Sequence, residues 1–392
     1  MNVLFIASWY PTNVNPNFGI FIKEHAKAIN TTGNSIVVLA LVIHRDKSFF
    51  RKKTTDIIDE NGVRTIRMEV FTRFRDIVYH FMPLQYRILR KQYKKTLSTS
   101  FEPDVIHSNV VFPAGIIGDR LARELRKKHI ISEHWSGIER FAKIPLLAKQ
   151  GYRAYKNADK ILPVSDFLKS NIRKAFPGLS EKSFHIVPNV IESRFFHYKE
   201  DGNHPDEIRL CAVAGWNRTK NQAKQPELLI DAIACFQEKN RTGKSICLTL
   251  VGDGDKAEDL KKRCREKHVN VRFTGFLPKQ ALGKELQRSD FLVHATKIET
   301  FGVVVAEALL CGTPVICSNV GALPEFINES NGILCENTTE SWVEAFMKAF
   351  ATSYDHKKIA EEFVNRYALE TIGKLIDEVY HPMSLVFSDD RD

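Results

Sequence analysis

Short apolar runs alternate with stretches of helical periodicity along this whole chain, and that alternation leaves few folds open. Runs at 3–7, 35–42, 105–108, 130–133, 160–164 and 183–187 are separated by helical patterns, and a second series follows at 208–214, 246–252, 271–274, 291–294 and 314–317. Short strands parted by helices pair in parallel through crossovers, which gives doubly wound sheets with helices on both faces. The polar, breaker-rich stretch 196–207 parts the two series, and 392 residues are enough for two cores. The expected organisation is α/β throughout: a Rossmann-like domain over 1–195, a linker over 196–207, a second Rossmann-like domain over 208–368, and a last helix with a tail over 369–392.

Composition narrows the class. With 43% hydrophobic and 27% charged residues the chain reads as a globular protein, and no apolar run is long enough for a membrane helix. Its first residues lack a basic, signal-like start, so a cytoplasmic location is expected. All seven cysteines fall in the second half without a Cys-x-x-Cys, which suits buried reduced thiols. The net charge of +10 is unevenly divided: the first 195 residues are strongly basic and the remainder slightly acidic. Those lysines and arginines are scattered and accompany no recognition motif, so no nucleic-acid partner is expected. No Walker loop, zinc spacing or HEXXH appears, and the five Asn-x-Ser/Thr triplets are chance matches.

Chemistry concentrates at Glu299-Thr300-Phe301-Gly302-Val303-Val304-Val305-Ala306-Glu307-Ala308. On one continuous helix two carboxylates eight residues apart would diverge by about 80°. With Glu299 on a loop after the strand 291–294 and Glu307 inside the following helix, both can face one crevice at the carboxyl end of a parallel sheet.

This segment, followed by Cys311-Gly312-Thr313-Pro314-Val315 and Gly321-Ala322-Leu323-Pro324-Glu325, resembles the family-4 (group 1) retaining glycosyltransferases of GT-B fold. The resemblance covers most of the chain and implies two Rossmann-like domains facing across a cleft, the last helix crossing back onto the first. It implies that Glu307 takes the ribose hydroxyls of a nucleotide-sugar donor, that Glu299 takes a hydroxyl of the donor sugar, and that the N–H groups of Phe301, Gly302 and Val303 meet sugar and diphosphate. Lys224 matches the family's phosphate-binding lysine. Trp216 stands where the family has an arginine and Gln225 where it has a glycine, which leaves Arg218, with Lys220 as its rival, for the second phosphate cation. Gly275 and Phe276 match the loop on the base side. Asp253 and Asp255 form an Asp-x-Asp, but the Val-Gly-x-Gly turn around them is a packing element in this family, so neither a metal nor any other cofactor is expected.

In the first domain, Gly19 matches the family's glycine loop and His134 its strand-end histidine against the donor sugar; His107 is assigned to the cleft wall, and Pro188-Asn189 to an interdomain turn. The implied activity is transfer of a sugar, with retention and without metal, to a hydroxyl of a glycan or lipid-linked acceptor, in cell-surface polysaccharide synthesis. His134, Glu299, Arg218 and Lys224 would carry it, the diphosphate helping to deprotonate the acceptor. The alternatives are a GT-B epimerase or phosphorylase, or a non-catalytic carbohydrate-binding protein of the same fold. A basic stretch at 81–95, with Leu84, Ile88 and Leu89 on one side, raises a peripheral contact with an anionic membrane; a solvated face on a core helix is the equal alternative.

Overall fold

The structure is a computed structural model, described here at residues 1–200, 206–218, 223–239 and 243–381. It divides into two compact units, one of Met1–Val190 with the segment from Leu369 onward, the other of Ile191–Ala368.

Unit 1 holds β1 (Asn2–Ala7), β2 (Ser35–Arg45), β3 (Arg51–Ile58), β4 (Arg64–Thr72), β5 (Val105–Asn109), β6 (Lys128–Glu133) and β7 (Lys160–Pro163) in the sheet order β3-β4-β2-β1-β5-β6-β7. Every pair is parallel except the edge pair β3–β4. The order reverses at β1, between β2 and β5, and opens a crevice at the carboxyl ends of the strands. The helix Leu369–Tyr380 packs on Ile20–Thr31, and its Tyr380 hydroxyl lies 2.6 Å from His107 Nδ1. His107 is wholly buried between Tyr380 and Ser132 Oγ, a core position rather than a wall.

Unit 2 holds β8 (Glu207–Val213), β9 (Ser245–Val251), β10 (Val271–Gly275), β11 (Phe291–His294), β12 (Val315–Ser318) and β13 (Gly332–Cys335), in the order β10-β9-β8-β11-β12-β13. Counted within the unit this is 3-2-1-4-5-6, all parallel, with its switch point between β8 and β11.

Several expectations needed correction. The run at 183–187 is not a strand: Glu181–Ser183 is a 3₁₀ turn, and Phe184 makes one isolated bridge to Ile161. Strands β3, β4 and β13 were not foreseen. Of the stretch read as a linker, 201–205 lies outside the described residues; Phe196 is fully buried and Glu192 pairs with Lys279, so the chain is already tied into unit 2 from Ile191. The basic stretch does form a helix, Met82–Thr96, but Tyr86, Leu89 and Tyr93 are buried and Leu84 and Ile88 pack on the same core. Arg90 and Lys94 pair with Glu124 at 2.7 and 3.9 Å, so its apolar side faces the protein and two of its cations are neutralised. Among the described residues no helix is long and apolar enough to cross a membrane.

Candidate active site

The switch point of unit 2 gathers the charged residues. After β8 the chain runs through 214–225 into the helix Pro226–Lys239, and after β11 through 295–302 into Val303–Leu310. These two loops pair: Gln225 N–H donates to Ala295 O and Lys297 N–H to Ala223 O, each at 2.9 Å, with Lys224 bridged to Thr296 between them. Backbone pairing thus delivers Lys224 to Glu299 across 75 residues of sequence, its Nζ donating to Oε2 at 2.6 Å. His294, the last residue of β11, lies 2.9 Å from the same ammonium and 3.2 Å from Glu299 Oε2.

Burial works to raise the pKa of Glu299, but Lys224 and His294 outweigh it and hold the carboxyl well below the usual carboxylate range. Burial and the Lys224 charge push His294 down toward the neutral imidazole, whose Nε2 can donate to Glu299 or accept from Lys224 but not do both at once. The Gly321-Ala322 turn fixes the Glu299 backbone. Ala322 N–H donates to Glu299 O at 3.0 Å, and Gly321, at φ 62°, lies so close that a Cβ would fall 2.0 Å from that oxygen. Only glycine fits there.

Gly302 precedes the helix Val303–Leu310, and the N–H groups of Gly302, Val303 and Val304 have no protein acceptor among the described residues. They form the partly positive end of the helix dipole, a few residues along the chain from Glu299. Phe301 turns its ring into the core against Phe326 and Tyr367, leaving only its backbone for a ligand.

Glu307 sits in the second turn, buried. Burial pushes its carboxyl up to about 8, with Lys279 pulling it down and Glu192 adding to the rise. A carboxyl raised on folding favours the folded state fully below its unfolded pKa, and that advantage is lost as pH climbs through the folded value. Wild-type stability should therefore fall between pH 4.5 and about 8. Glu307→Gln should flatten the decline, melting roughly 4 °C or more above wild type at the upper end in thermal unfolding followed across pH.

The remaining donor-side residues are less gathered. Trp216 is a core residue, its carbonyl accepting from Lys256 N–H at 2.9 Å. Arg218 is more than half exposed, its guanidinium on Asp259 and its N–H 2.5 Å from Asp255 Oδ1, so it is not assembled with Lys224 and Glu299. Lys220 lies outside the described residues. Asp253 accepts from Gly254 N–H at 2.7 Å, and among the described residues no group of three His, Cys, Asp or Glu side chains is placed to hold a metal. Gly275 O accepts from Gly252 N–H at 2.8 Å, and Phe276 beside it is 61% exposed.

In unit 1, Gly19 begins the helix Ile20–Thr31 at φ 69°, where a Cβ would meet Trp9 backbone at 2.6 Å. His134 follows β6, its Nδ1 3.0 Å from Asn189 Oδ1 and its ring 4.9 Å from those of Phe21 and His25. Burial drives the pKa of His134 well down, with a further push from His25, so it too is neutral. Its neighbour Glu133, passed over as a site residue, accepts from the N–H groups of His134, Trp135 and Val111 and from the Tyr155 hydroxyl, and so locks the end of β6 to the turn after β5. His294 was likewise not foreseen; one histidine closing an apolar run carries no sequence signal of a lysine 70 residues earlier.

Comparison with known proteins shows the family and the fold. The family Glycosyl transferases group 1 matches residues 208–366, and Glycosyltransferase Family 4 matches residues 19–195. An uncharacterized glycosyltransferase of Methanocaldococcus jannaschii is 32% identical over 414 residues, spanning 95% of this chain and 100% of that protein. The GDP-mannose-dependent alpha-(1-6)-phosphatidylinositol dimannoside mannosyltransferase of Mycobacterium tuberculosis is 23% identical over 289 residues, 70% of this chain and 72% of that protein. The crystal structure of HepE from Anabaena in complex with UDP matches with a TM-score of 0.72 at 16% identity, covering 98% of this chain and 100% of that one. The chain belongs to the group 1, family 4 glycosyltransferases, and its fold is GT-B.

Proposed function

We propose that the protein transfers a sugar from a nucleotide-sugar donor to a hydroxyl of a glycan or lipid-linked acceptor, with retention at the anomeric carbon and without a metal, in cell-surface polysaccharide synthesis on the cytoplasmic side of a membrane. The observation that carries this is the Lys224 ammonium held 2.6 Å from Glu299, next in the chain to the open N-terminus of Val303–Leu310. A diphosphate needs such a cation and such N–H groups, and a sugar hydroxyl needs such a carboxylate. In this reading Lys224 passes from Glu299 to the diphosphate as donor binds, Glu299 takes a hydroxyl of the sugar, and Glu307 takes the ribose diol. The N–H groups of Phe301, Gly302 and Val303 meet the sugar and diphosphate, and Gly275 and Phe276 the base. Arg218, as the second cation, exchanges Asp259 for the diphosphate. Gly19 and His134 serve the reaction from unit 1.

Retention follows from a front-side path. The acceptor oxygen bonds to the anomeric carbon on the face from which the diphosphate departs, the glycosidic C–O bond to phosphate breaks, and the acceptor proton passes to a diphosphate oxygen. Stabilising the charge on that leaving group is then the main catalytic contribution. One relative is named for GDP-mannose and one structural neighbour was solved with UDP, which supports a nucleoside diphosphate donor and leaves the base open.

The test is incubation with UDP-, GDP- and ADP-sugars and candidate acceptors in EDTA, with product configuration read by NMR. Transfer that survives chelation and keeps the donor's anomeric configuration is expected. Manganese-dependent turnover, an inverted product or release of a free epimer would contradict the reading.

A further inference from the structure

At the carboxyl end of the unit 1 sheet, just beyond β2 and β4, the chain leaves large apolar side chains in solvent: Phe49 at 71% exposure, Ile77 at 67%, and Phe50, Phe74 and Phe81. They form one patch. Phe49 and Phe74 meet edge to face at 5.5 Å, the Thr72 hydroxyl donates to Phe49 O at 2.6 Å, and Ile77 and Phe81 lie one helical turn apart just after Phe74. A contiguous exposed patch of this kind marks an interaction site.

Its rim is basic. The Arg73 guanidinium lies 4.8 Å from the Phe74 ring and 5.6 Å from that of Phe49, with no carboxylate partner among the described residues. Lys52 on β3 and Lys91 and Lys95 on the helix Met82–Thr96 are also without acidic partners there. Lys52 follows Phe49 and Phe50 by two or three residues, and burial, with the charges of Lys91 and Lys95, lowers its pKa. The nearby acids are already engaged, Asp76 by Arg45 and Arg75, and Asp46 by Arg51.

The patch also leads inward. Tyr79, on the helix bearing Ile77, meets Phe112 at 5.2 Å; Phe112 stacks on Trp135 at 6.4 Å; and Trp135 meets Trp9 at 6.2 Å. Trp9 packs on Gly19 and Trp135 follows His134, so an unbroken path of rings joins the patch to the unit 1 crevice.

We propose that this face docks unit 1 on an anionic lipid bilayer, the exposed phenylalanines and Ile77 entering the headgroup region while Arg73, Lys52, Lys91 and Lys95 meet lipid phosphates. It gives the lipid-linked acceptor of the proposed function a place of entry, and rests on that reading only for the acceptor. A second copy of the chain is a poorer occupant, because a self-complementary contact would set the same cations against one another. Single-stranded nucleic acid stacks on open ring faces, and Arg73 lies over one face of Phe49 and of Phe74.

Sedimentation of the full chain with phosphatidylcholine vesicles, and with vesicles also containing phosphatidylglycerol, tests this. Binding only to the anionic vesicles, released by salt, is expected. The triple variant Lys52→Gln/Lys91→Gln/Lys95→Gln should lower partitioning about 100-fold, at about 1 kcal/mol per basic side chain and 1.4 kcal/mol per tenfold. Phe49→Ser/Ile77→Ser should also lower partitioning to the anionic vesicles at low salt, and both variants should keep the wild-type melting temperature and transfer to a soluble acceptor. Wild-type protein left in the supernatant with both vesicles, variants that pellet like wild type, a patch-dependent dimer in sedimentation velocity, or patch-dependent binding of an RNA oligonucleotide without vesicle binding would each overturn the proposal. Transfer to a soluble acceptor, measured in parallel, shows whether the glycosyltransferase reading survives such a result.

Discussion

Lys224→Ala should reduce sugar transfer on the order of 1,000-fold while leaving a folded protein. The ammonium is the cation that the paired loops 223–225 and 295–297 deliver to the switch point, and removing one preorganised donor to a developing charge costs about 3–4 kcal/mol in turnover. The variant also removes the partner of a mostly buried carboxylate. Without Lys224 the burial that works to raise the pKa of Glu299 is opposed by His294 alone, so the pKa should climb toward or above its ordinary value. The stability conferred by a depressed carboxylate is present above its unfolded pKa and lost as pH falls through the folded one. Wild type should therefore lose this contribution only in strong acid, and Lys224→Ala should lack it already at neutral pH. Lys224→Arg keeps the charge but brings a planar fork in place of a point charge, and should restore stability more fully than turnover. Steady-state kinetics and pH-dependent melting of the three proteins check both halves.

Gly321→Ala should resemble Glu299→Ala in turnover, although residue 321 offers no side chain to a substrate. A Cβ there would stand 2.0 Å from Glu299 O in a backbone conformation of φ 62°, so the turn must shift or Glu299 must move. Left-handed strain alone costs about 1–2 kcal/mol, and the displaced carboxylate should lose roughly 100-fold in kcat. A distinct signature separates the two: Glu299→Ala should lower the melting temperature no more than Lys224→Ala does, whereas Gly321→Ala should lower it further, by about 5 °C or more from wild type. If Gly321→Ala melts early but turns over normally, the turn supports the fold and not the site.

What could be read in the sequence follows from how each element is buried. The central strands of both sheets are covered on two faces and appear as continuous apolar runs. Edge strand β3, Arg51–Ile58, is exposed along nearly its whole length and has no apolar pattern to find. In β4, Ile66, Met68 and Val70 alternate with Arg67 and Glu69, which are themselves buried because they pair with each other at 3.5 Å and with Pro11 O and His44. That polar pairing hid a strand covered on both faces. Glu299, Glu307 and Lys224 stand out in the sequence because each lies in a run of characteristic neighbours, and the structure brings Lys224 and Glu299 together. Arg218 is the only arginine its segment offers, and the contact that occupies it, Asp259, lies 41 residues away on the helix Ala257–Glu266. For the stretch 81–95 the sequence holds a core helix and a membrane-surface helix as equals, because both show the same stripe; the burial of Tyr86, Leu89 and Tyr93 puts that stripe on the core.

Titration calorimetry of UDP, GDP and ADP against wild type and Lys224→Ala tests the central claim, that the β8–β11 switch point of unit 2 is a nucleoside diphosphate site. At least one nucleotide should bind wild type in EDTA, with affinity reduced at least tenfold in Lys224→Ala, as expected for a charge-assisted bond worth about 1.5–3 kcal/mol. Failure of all three to bind wild type, or equal affinity for both proteins, would contradict it.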